Sequence, residues 1–259
     1  MTQTNNKQDR NFDNIAAKFG RNIYDTTKGK IRQHVLMRDL QQLELLQQPC
    51  HILDVGAGQG QIALQLAALG HSVLLTDISS EMLAIAKQHA QSLQISNVQF
   101  EQVSLAHLVQ KEQSGYKLVL CHAMLEWLSE PQAAIAQLSQ LLSPGGILSL
   151  MFYNKDAKRL SNIIYGNFDY VVADMQVKKK VPLSPQHPLQ PEEVLSWCKQ
   201  AGLNLIAKTG VRCFHDYLRN LSQQQSHFEQ LLALELQYNR QEPYASLGRY
   251  QHLILQKTT

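Results

Sequence analysis

From residue 51 onward, short apolar runs alternate with segments whose apolar residues recur at helical spacing. The runs that have the length and composition of buried strands are 51–55, 73–77, 98–103, 118–122 and 147–154. Helical spacing occurs after these runs at 62–67, 82–86 and 131–142. Because strands that alternate with helices of this length build parallel sheets, the pattern predicts an α/β fold with a doubly wound sheet.

The two flanks of this region follow other patterns. Residues 10–48 have helical spacing on either side of a polar connector at 24–30. Residues 155–190 contain lysine runs and prolines and predict a short helix plus a loop over the sheet. The elements predicted after this loop are a helix at 191–201, a strand at 204–214, a helix at 223–240 and a strand at 249–256. These elements complete the predicted domain.

A glycine-rich turn follows the first predicted strand. Gly56, Gly58 and Gly60 stand at alternate positions directly before a helical pattern. Glycine allows a sharp turn and a close approach of a ligand to backbone amides, so the turn predicts a nucleotide site at a helix N-terminus. The spacing G-x-G-x-G differs from the G-x-G-x-x-G of dinucleotide enzymes, and no P-loop lysine follows.

Asp77 ends the second predicted strand. In a nucleotide-binding sheet a carboxylate at this place binds the ribose hydroxyls. The competing structural role of Asp77 is to cap the next helix. The glycine turn upstream favours the ribose role.

Composition restricts the class of protein only mildly. The 259 residues include 24 lysines and arginines and 21 acidic residues, and a net charge of +3 permits a polyanionic partner without requiring one. No apolar run has the length of a membrane span, and the polar N-terminus does not resemble a signal peptide, so we expect a cytoplasmic protein. The four cysteines lie far apart, which predicts neither disulfides nor a metal site.

The glycine turn, Asp77 and the Ser-Pro-Gly-Gly turn at 143–146 together resemble class I methyltransferases that use S-adenosylmethionine. The resemblance implies a Rossmann-like fold with a seven-stranded, mostly parallel sheet and an insertion after strand five. We therefore expect an N-terminal helical lid at 1–48 and a methyltransferase domain at 49–259, with a basic substrate-binding insertion at 155–190. The expected cofactor is S-adenosylmethionine, and S-adenosylhomocysteine is its product.

Further motifs cover nearly the whole chain and resemble the bacterial tRNA 5-carboxymethoxyuridine methyltransferases. They lie at 9–13, 21–24, 26–29, 122–127, 148–154, 166–170, 208–212, 214–219, 240–244 and 247–250. This resemblance implies esterification of the carboxylate of a modified wobble uridine in the tRNA anticodon stem-loop. One departure is Ala57, where the family pattern leads us to expect glycine.

The chemistry implied is an in-line methyl transfer to an oxygen that is already ionised at neutral pH. We therefore expect no general base, and we expect the site residues to position and stabilise the reacting groups. The residues expected to contact the cofactor are Arg32, Asp54, Gly56, Ala57, Gly58, Asp77, Ile78, Met82, Ser104, Leu105, Ala106 and His122. Arg32 is assigned to the cofactor carboxylate by the resemblance.

The acceptor side needs a cation for the substrate carboxylate and aromatic or guanidinium surfaces for a flipped base. The candidates are Tyr153, Asn154, Arg212, His215, Tyr217 and Arg249. The expected RNA-backbone contacts are Lys28, Lys30, Lys178, Lys179 and Lys180.

Two alternatives stay open at this stage. One is a methyltransferase that acts on a small carboxylate or another metabolite, which would not need the lysines at 178–180. The other is a binding module that has kept the fold and lost turnover, against which the intact glycine turn and Asp77 argue. The sequence does not indicate the oligomeric state.

Overall fold

The computed structural model describes residues 11, 13, 14, 16, 26–111, 115–176 and 187–258. Its strands are β1 (His51–Val55), β2 (Ser72–Asp77), β3 (Val98–Gln102), β4 (Tyr116–His122), β5 (Leu142–Tyr153), β6 (Leu203–Val211) and β7 (Tyr250–Lys257). They form one seven-stranded sheet in the order β3-β2-β1-β4-β5-β7-β6. Strand β7 runs antiparallel to β5 and β6, and the pairs among β1 to β5 are parallel. The prediction of a mostly parallel seven-stranded sheet is confirmed.

Helices cover both faces of the sheet. The described helices before β5 are α1 (Thr27–Gln41), α2 (Gln61–Ala68), α3 (Ser80–Ser92), α4 (Leu105–Lys111) and α5 (Pro131–Leu141). Those after β5 are α6 (Lys155–Ile164), α7 (Phe168–Val172), α8 (Pro191–Gln200), α9 (Gln223–Ser226), α10 (Phe228–Tyr238) and α11 (Tyr244–Leu247). Short 3₁₀ turns occur at Glu44–Gln47, Leu125–Trp127 and His215–Tyr217.

Side-chain alternation along the strands divides the core into two layers. In β4, Leu118 and Leu120 belong to one apolar cluster, and Val119 and Cys121 belong to the other. Successive strand residues point to opposite faces, so one strand supplies both layers. This two-sided burial explains why the strands read as continuous apolar runs.

Helix α1 begins earlier than the sequence pattern indicated. The polar connector was expected to extend to residue 30, but Thr26 is the N-cap and its side chain accepts a hydrogen bond from the Gly29 backbone N–H. The capping bond satisfies a backbone donor of the first turn, which stabilises a helix start in a polar segment. Ile31, Val35 and Leu36 of α1 are buried in the same cluster as strand residues.

Two further elements differ from expectation. The predicted helix at 223–240 is divided into α9 and α10, because the intervening His227 departs from helical geometry with φ −123° and ψ 32°. Strand β5 begins at Leu142, which pairs with Tyr116 before the register shifts between Tyr116 and Leu118. The Pro-Gly turn is therefore part of an irregular strand start. Within the described residues, no helix has the length and apolar character needed to span a membrane.

Candidate active site

The glycine turn between β1 and α2 has the backbone geometry that only glycine adopts easily. Gly56, Gly58 and Gly60 have φ values of +65°, +57° and +72°. A Cβ on Gly56 would lie 2.5 Å from Met124 Sδ, and one on Gly60 would lie 2.6 Å from a methyl carbon of Leu75. Both glycines are thus required by backbone angle and by space. Ala57 is compatible with the turn, and its N–H donates to the Thr76 carbonyl over 3.0 Å.

Two buried carboxyl groups lie beneath this turn. Asp77 accepts hydrogen bonds from the backbone N–H groups of Gly58 and Ser79, each over 2.8 Å. Burial raises the pKa of Asp77 despite these bonds. Burial, together with the charge of Asp77, raises the pKa of Asp54 well above its usual value. This end of the sheet is therefore a place where a cationic ligand would be stabilised.

Two cavities meet at Gly56, which lines both. The smaller, which we call the Arg32 cavity, has a volume of about 60 Å³ and is lined by Arg32, Asp54, Ala57 and His122 among others. The larger, which we call the Asp77 cavity, has a volume of about 300 Å³. Its lining includes Asp77, Ile78, Val103, Ser104, Leu105, Ala106, Met124 and Trp127.

This arrangement fits S-adenosylmethionine. The Arg32 cavity offers a cation, the buried carboxyl group of Asp54 and a glycine turn suited to an amino-acid group. The Asp77 cavity has the apolar walls and the carboxylate suited to a nucleoside. The residues expected at the cofactor that line one cavity or both are Arg32, Asp54, Gly56, Ala57, Asp77, Ile78, Ser104, Leu105, Ala106 and His122. Their contact with the cofactor stays a prediction.

The other two expected cofactor residues lie outside these linings. Gly58 donates its backbone N–H to Asp77 and so helps to hold the carboxylate in place. Met82 is buried in the first turn of α3, where its N–H donates to the Ser79 capping hydroxyl over 3.2 Å. Met124, Leu128 and Val103 line the Asp77 cavity and were not expected, because the spacing of apolar residues does not distinguish a ligand wall from the core.

An arginine–tyrosine cluster lies next to the Arg32 cavity. It consists of Arg212, Asp216, Arg249, Tyr153 and Tyr250. Both arginines pair with Asp216: Arg212 Nε donates to Oδ1 over 3.2 Å, and Arg249 Nε lies 3.6 Å from Oδ2. Arg249 lies over the Tyr153 ring at 5.1 Å and Arg212 over the Tyr250 ring at 5.8 Å. These contacts bring together residues from β5, β6 and β7 and their connections.

The charges of this cluster determine its protonation. Burial acts to raise the pKa of Asp216, but the charge of Arg212 and the hydrogen bonds from His215 and Arg212 hold it well below its usual range. Burial raises the pKa of Tyr153 to about 12. Asp216 is therefore ionised and Tyr153 is neutral at physiological pH, so the cluster contains two cations and one anion.

Arg32 connects the cluster to the cavity. Its guanidinium lines the Arg32 cavity and lies 5.8 Å from the centre of the Tyr250 ring. Tyr250 thus lies between Arg32 and Arg212, at the start of β7 and opposite Tyr153 in the ladder. The expected cofactor and acceptor sites are neighbours.

Other residues expected on the acceptor side already have protein partners. Asn154 is fully buried and donates to the carbonyls of Ser246 and Gly248 over 2.9 and 3.0 Å. His215 is buried between Thr27 Oγ1 at 2.9 Å and Asp216 Oδ1 at 2.8 Å. Tyr217 donates its hydroxyl to the Leu247 carbonyl over 3.0 Å. These bonds give all three residues a role in holding the cluster, and their contact with substrate stays a prediction.

The expected RNA-contacting lysines are only partly described. Lys28 and Lys30 are exposed on the first turns of α1, and Lys30 Nζ lies 5.7 Å from the centre of the Phe228 ring. Lys178, Lys179 and Lys180 lie outside the described residues. The described part of the chain contains no cluster of three His, Cys, Asp or Glu residues that could hold a metal ion.

Glu126 is a feature of the site that sequence reasoning did not assign. Its side chain is fully buried, and among the described residues neither carboxyl oxygen has a partner with hydrogen-bond geometry, although the charge of Arg32 and nearby backbone N–H groups act to lower its pKa. Burial raises its pKa to about 7. The charge of Glu126 also contributes to the raised pKa of Tyr250, which places the two residues in electrostatic contact. Its apolar neighbours Leu125 and Trp127 are the sequence signal that could have indicated its burial.

Comparisons with known proteins agree with this geometry. A family model described as a methyltransferase domain matches residues 46–234. The tRNA 5-carboxymethoxyuridine methyltransferase of Escherichia coli strain K12 is 47% identical over 253 residues, covering 96% of this chain and 97% of that protein. The ubiquinone biosynthesis O-methyltransferase of Leptothrix cholodnii is 29% identical over 163 residues, covering 62% of this chain and 66% of that protein.

Solved structures show the same fold. Magnesium protoporphyrin IX methyltransferase from Synechocystis, solved with bound SAH, has a TM-score of 0.63 and 17% identity, covering 95% of this chain and 96% of that chain. The family model covers most of the chain, and the identity to the Escherichia coli protein extends over nearly all of it. This chain is a class I methyltransferase and belongs to the tRNA 5-carboxymethoxyuridine methyltransferase family.

Proposed function

We propose that this protein transfers the methyl group of S-adenosylmethionine to the carboxylate of 5-carboxymethoxyuridine at the tRNA wobble position and forms the methyl ester. The observation that carries this proposal is the arginine–tyrosine cluster next to the Arg32 cavity, with Tyr250 between Arg32 and Arg212. A site for a carboxylate acceptor needs a cation and aromatic surface close to the methyl donor. The identity of the acceptor is inferred from the name of the Escherichia coli relative.

The charge of the cluster matches one carboxylate. Arg212 and Arg249 carry two positive charges, and their shared partner Asp216 carries one negative charge. One positive charge is left for an incoming anion, which a guanidinium holds best through directed N–H bonds. The single excess positive charge can hold one oxygen of the acceptor carboxylate and leave the other oxygen free to attack the methyl group.

The reaction then depends on alignment. The cofactor would supply the methyl group from a sulfonium, whose sulfur leaves as a neutral thioether when the bond from the methyl group to the acceptor oxygen forms. The acceptor oxygen is already ionised, so no protein group has to remove a proton in this mechanism. Arg249 and Arg212 orient the carboxylate, and Tyr153 and Tyr250 provide faces on which a flipped pyrimidine can stack. Exclusion of water by the buried cluster strengthens these contacts.

We further propose that the substrate region is the anticodon stem-loop and that the protein acts in the cytoplasm, where tRNA is modified. Lys28 and Lys30 are exposed at the N-terminal end of α1, the helix that also carries Arg32. Lysines at this place would contact phosphates near the flipped base, with Lys178, Lys179 and Lys180 as further contacts. The insertion at 155–190 would form part of this RNA-binding surface, and the segment 1–48 would cover the cofactor.

The test uses purified protein, tritiated-methyl S-adenosylmethionine and total tRNA from a strain that lacks the wobble ester. We expect label in tRNA that mild alkali releases, as for a methyl ester. Label that survives alkali would contradict a carboxylate acceptor. Binding of the cofactor without any label in tRNA would instead favour a small carboxylic acid as acceptor.

A matched pair of charge variants tests the acceptor site. Arg249→Gln removes one cation of the cluster, and Lys87→Gln removes one cation on α3, by the other edge of the sheet. We expect Arg249→Gln to lower kcat/KM for tRNA by at least about tenfold with little change in cofactor affinity, since one charge-assisted hydrogen bond contributes roughly 1.5–3 kcal/mol. Lys87→Gln should behave like the unmodified protein. Equal effects of the two variants would contradict the assignment.

A further inference from the structure

Four polar side chains form a continuous hydrogen-bonded chain through the core. Asp39 Oδ2 lies 2.8 Å from His252 Nδ1, and His252 Nε2 lies 2.8 Å from Ser149 Oγ. Ser149 Oγ lies 2.8 Å from His122 Nε2. Asp39, Ser149 and His252 are almost completely buried, whereas His122 lines the Arg32 cavity. The chain thus extends from α1 across β7, β5 and β4 to the expected cofactor site.

The strand register places these side chains on one face of the sheet. Met151 of β5 pairs with both His122 of β4 and His252 of β7, and Ser149 lies two residues before Met151. Side chains two residues apart in a strand share a face, so Ser149 and both histidines point to the same side. Met151 belongs to the same apolar cluster as residues of α1, the helix that carries Asp39.

The chemistry of these groups fixes the direction of each hydrogen bond. An ionised Asp39 only accepts, so His252 Nδ1 must carry a proton. A serine hydroxyl has a single proton, so at most one of the two Nε2 atoms that contact Ser149 accepts from the hydroxyl, and the other must then donate to it. If His252 is neutral, its Nε2 is the acceptor, and His122 Nε2 must donate to Ser149. The Nδ1 of His122 then has no proton and is an acceptor.

The surroundings of Asp39 favour a neutral His252. Asp39 Oδ1 accepts from Arg38 Nη2 and from Arg240 Nη2, each over 2.7 Å. Two arginines therefore already balance the single negative charge of Asp39. A third cation at His252 would be fully buried, would share that one negative charge with both arginines over 2.8 Å to Asp39 Oδ2, and would lie 5.7 Å from the His122 ring.

We propose that Asp39, His252 and Ser149 are positioning residues that hold His122 in the Nε2–H tautomer, so that its Nδ1 accepts a hydrogen bond from the α-ammonium group of the cofactor. Within the described residues His122 Nδ1 has no hydrogen-bond partner, and Arg32 and Asp54 line the same cavity. Arg32 suits the cofactor carboxylate, while His122 and Asp54 suit its ammonium group. Burial keeps the pKa of His122 well below its usual value, which preserves the acceptor.

This inference uses the proposed function only for the identity of the cofactor and does not depend on the tRNA acceptor. Its tests therefore measure binding and tautomer state without tRNA. Loss of tRNA methylation with normal cofactor binding would count against the proposed function and would leave the role of His122 unchanged.

The first test is the tautomer of His122 in the full-length protein labelled with ¹⁵N-histidine. Two-bond ¹⁵N–¹H spectra distinguish the two neutral tautomers and the cation, and His122→Gln assigns the signal. We expect the Nε2–H pattern both without ligand and with S-adenosylhomocysteine, with a shift of the Nδ1 resonance on binding. A His122 that carries its proton on Nδ1 would overturn the proposal.

The second test compares two ligands in calorimetry, S-adenosylhomocysteine and its analogue without the α-amino group. We expect Ser149→Ala to weaken S-adenosylhomocysteine about tenfold and to change the affinity of the analogue by less than about twofold, as for loss of one hydrogen bond to a charged group. Ser139→Ala is the matched control, because Ser139 is also buried and its hydroxyl donates to the Ala201 carbonyl. Equal weakening of both ligands by Ser149→Ala would indicate a purely structural network and would overturn the proposal.

Discussion

At the scale of single residues, the site is dominated by carboxyl groups that are buried without full compensation. Asp54 lies beneath the glycine turn with Asp77 nearby, and neither oxygen of Glu126 has a hydrogen-bond partner among the described residues. Burial disfavours the ionised form of a carboxyl group and so raises its pKa. The folded protein therefore holds protons that the unfolded chain would release at the same pH. This energetic cost is consistent with a site prepared for a cationic ligand.

Asp54 predicts a pH dependence of cofactor affinity. S-adenosylmethionine brings a sulfonium and an ammonium group, which favour the ionised form of Asp54, so binding should release protons. Affinity should rise with pH until the raised pKa of Asp54 is passed, and Asp54→Asn should flatten this rise. Calorimetry in buffers of different ionisation enthalpy measures both effects. S-adenosylhomocysteine, which has no sulfonium charge, should show a smaller pH effect, and an unchanged slope in Asp54→Asn would contradict the assignment.

Glu126 predicts that the ligand-free protein loses stability as pH rises. Its pKa is about 7 in the folded protein, against an ordinary glutamate value of 4.5 in the unfolded chain. The folded state therefore binds this proton more tightly, so the contribution of Glu126 to stability is fully present below about pH 4.5 and is lost as pH rises through about 7. Because one pKa unit corresponds to about 1.4 kcal/mol, Glu126→Gln should raise the free energy of unfolding at pH 8 by roughly 3–4 kcal/mol relative to the unmodified protein.

Urea denaturation at about pH 5 and pH 8 measures this difference, and Glu235 provides the contrast. Glu235 is also buried, but its carboxylate accepts the backbone N–H groups of Cys213, Phe214 and His215. Glu235→Gln should therefore destabilise the protein at both pH values, by about 1–3 kcal/mol. A Glu126→Gln variant that is no more stable at pH 8 than the unmodified protein would rule out an uncompensated carboxyl group.

At the scale of elements, the acceptor side depends on the junction of β5 and α6. Asn154 directly follows β5 and caps α6 by accepting from the Asp156 N–H over 2.9 Å, while its amide group donates to the Ser246 and Gly248 carbonyls. Helix α6 in turn carries Ser161, which accepts from Arg249 over 2.9 Å. One buried amide therefore joins the strand, the helix and the segment before β7, and it sets the position of an arginine in the cluster.

The structure of this junction predicts that a substitution at Asn154 weakens the binding of tRNA more than the binding of the cofactor. Asn154→Ala removes a helix cap and leaves two buried carbonyls unpaired, so we expect a loss of about 2–4 kcal/mol in stability. Because Arg249 is held through α6, KM for tRNA should rise several-fold while cofactor affinity stays nearly constant. Steady-state kinetics and calorimetry separate the two quantities.

Asn167→Ala is the matched control, because Asn167 occupies the N-cap position of α7 but makes no capping hydrogen bond. Its removal should change stability by less than about 0.5 kcal/mol, as is usual for an exposed position. If both variants lose cofactor and tRNA binding to the same extent, the proposal that Asn154 positions Arg249 through α6 is wrong.

At the scale of the whole molecule, the order of strands brings the two halves of the site together. The glycine turn follows β1 and Asp77 ends β2, whereas the arginine–tyrosine cluster is built around the ends of β5 and β6 and the start of β7. In open α/β sheets, ligands bind outside the carboxyl ends of the parallel strands. Helix α1 crosses this edge with Arg32 and contributes to both halves.

The division into two halves predicts different responses to salt. Binding of tRNA should weaken steeply as salt concentration rises, because lysines release counterions from phosphates. The double variant Lys28→Gln, Lys30→Gln should reduce the slope of log K against log salt by about 2, or about 1 for each lysine that contacts a phosphate. Fluorescence anisotropy with an anticodon stem-loop measures this slope. Affinity for S-adenosylhomocysteine should be unaffected by the two substitutions. An unchanged salt slope for RNA would mean that Lys28 and Lys30 do not contact phosphates.

The sequence by itself determined the features that neighbouring residues encode. The strand and helix alternation, the left-handed glycines of the turn and Asp77 at the end of β2 are all local, because backbone angles and burial patterns depend on residues close in the chain. Most of the expected cofactor residues line the two cavities because they belong to these locally encoded turns and strand ends. The cap at Thr26 and the break near His227 were missed, since local capping and packing outweighed the apolar spacing.

Only the tertiary structure decided which distant side chains meet. Asp39 and His252 are 213 residues apart and bond across the core, and Asp216 proves to be the shared partner of Arg212 and Arg249. Glu126 is a buried carboxyl group only because the strands around it exclude water. Such contacts depend on strand order and register, which the sequence specifies through the free energy of the whole fold and not through a local pattern. The glycine turn can therefore be recognised in the sequence, while the hydrogen-bonded series from Asp39 to His122 exists only in the folded molecule.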